Sequence, residues 1–147
     1  MPQFFNEVST LGEEKMKEAT FGSFSKCLDL DIKKQWTSDI KNKMMTYRNQ
    51  SINFGVDNFI KKNYENAFSS FKMAIEMYNI LSLTDTLAMI NAALSSEKLK
   101  KTDEAFKYYK MCADNNYGKG AEMYQSMIRV LNANDTKDED QILNIIA

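Results

Sequence analysis

The feature that most constrains this chain is a pattern of small and aromatic residues that occurs twice between Phe54 and Tyr117. The first copy consists of Phe54-Gly55 followed by Tyr64, Ala67, Phe71 and Ala74. The second copy consists of Ala92-Ala93 followed at the same distances by Thr102, Ala105, Tyr109 and Cys112. The two copies lie 38 positions apart, and a weaker third copy follows the second by 34 positions, from Thr102 to Thr136. A repeat of this length is typical of an α-solenoid, in which antiparallel helix pairs stack on one another.

Composition agrees with an all-α chain. The 147 residues include five glycines and one proline, Pro2, and both residue types disfavour helix interiors. The net charge is -1, with acidic and basic residues interleaved. Nucleic-acid binding through phosphate contacts needs a clustered basic face, so this class of partner is not expected.

Apolar residues at steps of three and four predict successive helices. These are Glu13–Asp29, a long helix capped by Thr37 or Ser38 and running to about Lys62, Tyr64 to about Leu81, a helix capped by Thr84 or Asp85 and running to about Leu99, Thr102–Asp114, Ala121–Leu131, and a short last helix capped by Thr136. The predicted organisation is an N-terminal helix and linker over 1–38, followed by repeats at about 39–83, 84–117 and 118–147.

This pattern resembles the tetratricopeptide repeat family in its bacterial, multi-repeat form. The residues that carry the resemblance are Phe54, Gly55, Tyr64, Ala67, Phe71 and Ala74 in the first repeat, and Ala93, Ala105, Phe106, Tyr109 and Cys112 in the second. The family's early tryptophan is replaced by Ser51 and Met89, and its closing proline by Asn79 and Tyr117. The resemblance implies a right-handed superhelix. The stretch Lys26–Asp31 looks like the end of a repeat helix, which leaves either an upstream truncation or a degenerate N-terminal cap.

The resemblance also implies a site. In this family the first helix of each pair lines a concave groove that binds other proteins. The corresponding positions are Asn49, Ile52, Asn53, Val56 and Phe59 in the first repeat, and Leu87, Ile90, Asn91, Leu94 and Lys98 in the second. Ile52 and Ile90 stand where the best-known groove of the family has carboxylate-clamping lysines, so an apolar peptide or protein segment is the expected ligand, with Asn53 and Asn91 reading its amides. The alternative is that these apolar residues pack within the chain itself.

Catalytic chemistry is not expected. The chain contains no histidine, which removes the commonest general base and metal ligand. Cys27 and Cys112 fall in the small-residue slot of a repeat helix and are interpreted as packing residues. The stretch Gly118–Gly120 lacks the spacing of a phosphate-binding loop, and the acidic residues from Asp135 to Asp140 lack that of a calcium loop. No cofactor or metal is predicted.

The predicted function is therefore a non-catalytic adaptor or scaffold for protein–protein interaction. The alternative is a structural segment of a longer solenoid, or a self-associating subunit, with no separate ligand. The stretch from Ile142 to Ile146 contains four apolar residues, too many for one stripe of a short helix. Ile142 and Ile146 are therefore expected to mediate self-association.

No apolar run is long enough for a transmembrane helix. Without a recognisable signal peptide, the chain is either cytoplasmic or an excised part of an exported, for example periplasmic, protein.

Overall fold

The computed structural model describes residues 13–116, 118 and 120–133, and every regular element among them is an α-helix. These helices are α1 (Glu13–Leu30), α2 (Thr37–Ile60), α3 (Tyr64–Ile80), α4 (Thr86–Lys98), α5 (Thr102–Asp114) and α6 (Gly120–Ala133). The all-helical class is confirmed, and each predicted boundary lies within about two residues of the observed one. The third copy of the repeat at Thr136, and the last predicted helix, fall outside the described residues.

The predicted helix cap is observed at the start of α4 but not at the start of α2. Asp85 caps α4, because its side chain accepts a hydrogen bond from the backbone N–H of Ala88 at 3.0 Å. The expected cap of α2 at Thr37 or Ser38 is wrong, since α2 begins at Thr37 itself without a side-chain cap. Instead, the Thr37 hydroxyl donates to Asp31 at 2.7 Å, and the Asp31 carboxylate also accepts backbone N–H groups from the linker.

Three helices end in the same hydrogen-bonded stop although none of them has a glycine there. Lys62, Ser82 and Lys100 adopt left-handed backbone angles with φ of 62°, 55° and 58°. The next residue in each case donates its N–H to a carbonyl five residues earlier, as Asn63 does to Asn58 at 2.8 Å. This is the Schellman arrangement, which satisfies carbonyls that the helix end leaves free. It makes all three turns short and similar.

The helices pack mainly on their neighbours in sequence: α2 on α3, α3 on α4, α4 on α5, and α5 on α6. The pair α2 and α3 is antiparallel, because later residues of α2 meet earlier residues of α3. The ring of Phe59 meets Tyr64 beside the turn at 5.2 Å, and the Ser51 hydroxyl donates to the Met73 sulfur at 3.3 Å further along.

Gly55 marks the closest approach of α2 and α3. A Cβ atom at Gly55 would lie 2.6 Å from the Phe71 ring carbon Cε1 and 2.9 Å from two further ring carbons. This close approach explains why a glycine, which is unfavourable in a helix interior, occurs at this position. Ala67 and Ala105 are also fully buried, each at 0% exposure. Aromatic rings fill the space beside these small residues.

α1 packs on both α2 and α3 and completes a second, methionine-rich cluster. Met44, Met73 and Met77 are buried there, with Phe24 and other partly buried apolar residues packed around them. Cys27 is exposed, so its interpretation as a packing residue is wrong. α1 turns Phe24 and Leu28 toward the cluster instead, and these two residues close it on that side.

Replacing Gly55 with alanine tests the close approach. Gly55→Ala is expected to lower the free energy of unfolding by about 1–3 kcal/mol, because the new methyl group overlaps the Phe71 ring. That loss would outweigh the gain of roughly 1 kcal/mol in helix propensity. Gly22→Ala in α1 is the matched control, since nothing lies within 4 Å of its added Cβ, and it should gain about 0.5–1 kcal/mol. Equal stabilities in urea denaturation would contradict the close packing.

Candidate functional site

Helices α2 and α4, which carry the predicted groove positions, are joined by a largely buried ion pair. The Arg48 guanidinium donates from Nε and Nη2 to the two carboxylate oxygens of Asp85, both at 2.5 Å. Arg48 also lies over the Tyr78 ring at 4.8 Å. The Asp85 side chain is 1% exposed and that of Arg48 is 13% exposed, and the hydrogen bond with Asp85 raises the pKa of Arg48 above its ordinary value. The pair fixes the start of α4 against the middle of α2.

A second network joins α4 to α5 and α6. Glu97 accepts hydrogen bonds from the Tyr109 hydroxyl at 2.7 Å and from Arg129 Nη2 at 3.0 Å. Burial raises the pKa of Glu97, but the hydrogen bonds from Arg129 and Tyr109 and the charge of Arg129 lower it by more, so its pKa lies below the ordinary value. Burial, together with the bond to Glu97, raises the pKa of Tyr109. Neither network could be predicted from periodicity. Periodicity relates residues within one helix, whereas each network joins residues on different helices.

The predicted groove residues divide into three groups by exposure. Ile52 is 8% exposed and belongs to the main core, so its expected place on an open groove is corrected. Phe59, Ile90 and Leu94 are partly buried and pack against that core. The exposed members are Asn49, Asn53, Val56, Leu87 and Lys98, with Val56 at 38% and Leu87 at 44%.

Asn91, the other predicted amide reader, is partly buried and already engaged with its own helix. Its side-chain nitrogen donates to the Leu87 carbonyl at 2.8 Å. One of its two amide hydrogens is therefore used within α4, whereas Asn53 is exposed on α2. The structure thus gives the two asparagines different environments, although the repeat placed them at equivalent positions.

The burial pattern explains the placement of Ile52. Buried positions of α2 recur in α4 at a separation of 37 residues, which is also the separation of Arg48 and Asp85. Ile52 then corresponds to Met89 in the core, and Asn53, not Ile52, corresponds to Ile90. The sequence repeat of 38 positions holds for α3 and α5, where Ala67 and Ala105 are both buried. Phe54, which the 38-position repeat pairs with the buried Ala92, is 38% exposed.

Two apolar residues that the sequence prediction missed extend the exposed face of α2. Met45 is 42% exposed and lies one turn before Asn49, and Ile60 is 72% exposed and lies one turn after Val56. Helical spacing puts all four on one face, so continuing the groove positions by one turn at each end would have found them. The exposed strip on α2 and α4 is defined here as Met45, Val56, Ile60, Leu87, Ile90 and Leu94.

The described residues give little support for a reactive thiol or a metal site. Burial raises the pKa of the Cys112 thiol to about 11, which keeps it protonated and unreactive at neutral pH. In this part of the chain, no three His, Cys, Asp or Glu side chains lie close enough to hold a metal ion.

No described helix combines the length and the apolar character needed to cross a bilayer. Comparisons of the chain with models of known protein families, with curated proteins and with solved structures find no match.

Removing Arg48 tests whether the ion pair orders α2 and α4. Arg48→Met leaves the buried Asp85 carboxylate without its cation and is expected to lower the free energy of unfolding by about 3 kcal/mol. The matched control is Lys101→Met, which breaks the exposed pair with Glu65 and should cost less than about 1 kcal/mol. Similar losses for the two variants in chemical denaturation would show that the buried pair has no special role.

Acid should weaken the Glu97 network. Because the folded-state pKa of Glu97 lies below its ordinary value of 4.5, its carboxylate stabilises the fold above that pH, and this contribution disappears as the pH falls through the folded-state pKa. Glu97→Gln should therefore flatten the fall in unfolding free energy between neutral pH and about pH 3. Denaturant titrations of both proteins across this range measure the difference. An unchanged pH dependence would exclude the assigned role.

Proposed function

We propose that this chain is a non-catalytic protein-interaction module that binds an apolar segment of a partner along α2 and α4. The observation that carries the proposal is the exposed strip, in which large apolar side chains stay accessible on two helices held together by Arg48 and Asp85. Exposed apolar groups that recur along one face usually mark an interaction surface. The proposed architecture is an α-solenoid of the tetratricopeptide type.

The direction of the helices supports the solenoid. Arg48 in α2 meets Asp85 at the start of α4, and Glu97 near the end of α4 meets Arg129 near the end of α6. These contacts support an arrangement in which α2, α4 and α6 lie side by side and point the same way. On the other side, Phe68 of α3 meets Tyr108 of α5 at 5.9 Å. Stacked helix pairs are expected to form two layers. The helices within each layer are parallel, and consecutive helices of the chain alternate between the layers.

The spacing of the strip suggests the form of the ligand. Leu87, Ile90 and Leu94 follow one another at intervals of three and four residues, and Val56 lies on the adjacent helix. Such a row suits an amphipathic helix or an extended apolar segment, which would bury its own side chains between those of α2 and α4. Asn49, Asn53 and Lys98 are exposed beside the row and would contact polar groups at its edge.

The absence of catalysis is part of the proposal. The chain contains no histidine, and the largest pKa shifts belong to Tyr109 and Cys112, two buried core residues. A raised pKa makes a phenol or thiol a weaker nucleophile at neutral pH, which is the opposite of what activation requires.

A matched pair of leucine variants tests the groove. Peptides would be selected on the intact chain from a displayed random library. Their affinities would then be measured for wild type, Leu87→Asp and Leu83→Asp. Leu87 is 44% exposed on the strip, whereas Leu83 is 47% exposed in the turn before α4, so the two substitutions remove equal side chains of equal exposure.

Leu87→Asp is expected to weaken binding by about tenfold or more, the effect of losing one buried leucine contact. Leu83→Asp should leave the affinity unchanged, and circular dichroism should show both variants folded. Failure to select any peptide, or equal affinities for both variants, would favour the alternative of a structural or self-associating segment with no separate ligand.

A further inference from the structure

A second apolar surface lies in the connection between α1 and α2. Leu30, Ile32 and Trp36 are 68%, 88% and 58% exposed there. With Cys27 and Ile40 they line a concave site of about 540 Å³. We call these five residues the linker patch.

The shape of the linker patch is maintained by hydrogen bonds to the Asp31 side chain. The Asp31 carboxylate accepts the N–H groups of Gln35 and Trp36 at 2.9 Å each, and the Thr37 hydroxyl at 2.7 Å. Lys34 takes a left-handed backbone conformation with φ of 51°. A loop fixed in this way presents Ile32 and Trp36 to solvent without collapsing onto the helices, and a preformed surface binds with less loss of conformational entropy.

The linker carries a small positive charge of +1 over residues 31–36, from Lys33 and Lys34 against Asp31, and Asp31 and Lys33 both line the concave site. Lys33 and Lys34 are exposed between Ile32 and Trp36. The carboxylate of Asp31 is engaged in the three hydrogen bonds within the linker. An apolar ligand with neighbouring acidic groups would therefore match both the hydrophobic and the electrostatic character of this surface.

One segment of the chain has this composition. Residues 138–146 read Asp-Glu-Asp-Gln-Ile-Leu-Asn-Ile-Ile, with three consecutive acids directly before four apolar residues in five positions. We propose that residues 138–146 of one copy of the chain dock on the linker patch of a second copy, joining the two copies head to tail. The acids contact Lys33 and Lys34, and the apolar residues contact Ile32 and Trp36.

The next step rests on the proposed solenoid, which separates the two sites within one chain. With α2, α4 and α6 running the same way, Ala133 would lie near the level of the last turn of α2, and the linker patch beyond its first turn. The 24 residues of α2 span about 36 Å, and two helix spacings add about 18 Å sideways, giving a separation of about 40 Å. Asp138 to Asp140 follow Ala133 by five to seven residues, which reach at most about 25 Å. In this arrangement the acids do not reach Lys33 of their own chain.

Trp36 is the only tryptophan of the chain and reports directly on the linker patch. Analytical ultracentrifugation and tryptophan emission would be recorded against protein concentration for four proteins: wild type, Ile32→Glu, the double variant Ile142→Glu with Ile146→Glu, and Leu83→Glu. Leu83 is 47% exposed in the turn before α4, belongs to neither apolar surface, and is the control for Ile32.

The proposal expects the average mass of wild type and Leu83→Glu to rise with concentration while their emission shifts to the blue. Ile32→Glu and the double variant should each lose both effects. Their mixture should recover a dimer, because it contains one intact linker patch and one intact segment. Added salt should weaken the association, since Lys33 and Lys34 contribute to it.

Other results would overturn the proposal. Loss of association in Ile32→Glu but not in the double variant would indicate a symmetric contact between two linker patches. A blue-shifted emission at a constant monomer mass would indicate docking within one chain. A monomer with exposed tryptophan at every concentration would exclude self-association. In that case, a blue shift on adding anionic lipid vesicles would assign the lysines and apolar residues to a membrane surface.

Discussion

The close approach of helices at small residues is the constraint on which the rest of the structure depends. Gly55 lets the Phe71 ring lie where a Cβ atom would otherwise be, and Ala67, Ala74 and Ala105 are buried without any exposed surface. Neighbouring backbones can approach only where side chains are this small, and the aromatic rings between them then fill the remaining space. The short turns with left-handed residues keep each helix beside the one before it.

Packing between neighbouring helices alone would leave the relative position of alternate helices loosely defined. Two charged networks fix that position: Arg48 with Asp85 joins α2 to α4, and Glu97 with Arg129 joins α4 to α6. Because Asp85 also caps α4, the same carboxylate fixes where that helix begins and where it lies. A buried charge with several hydrogen bonds restricts geometry more than an apolar contact does, since each bond demands a direction.

The surface left by this packing has two apolar regions with different character. The strip on α2 and α4 lies on helices, is flanked by amides, and suits a segment bound along its length. The linker patch surrounds a loop that is held by Asp31 and contains Lys33 and Lys34, which suits a shorter segment with acidic groups. Both regions touch the described core, through Ile90 and Leu94 in the strip and Ile40 in the linker patch, and every buried side-chain nitrogen or oxygen of that core has a hydrogen-bond partner.

The sequence by itself determined the helices, their boundaries and the small residues at their crossings, because each of these depends on local propensity and on periodicity within one helix. Gly55, Ala67 and Ala105 could all be assigned in this way. Tertiary structure decided which face of α2 meets α4. The ion pair of Arg48 with Asp85 sets a separation of 37 residues, which buries Ile52 against the prediction and leaves Phe54 exposed. One helix can rotate against another by a single residue without changing its own pattern, so only contacts between helices fix that choice.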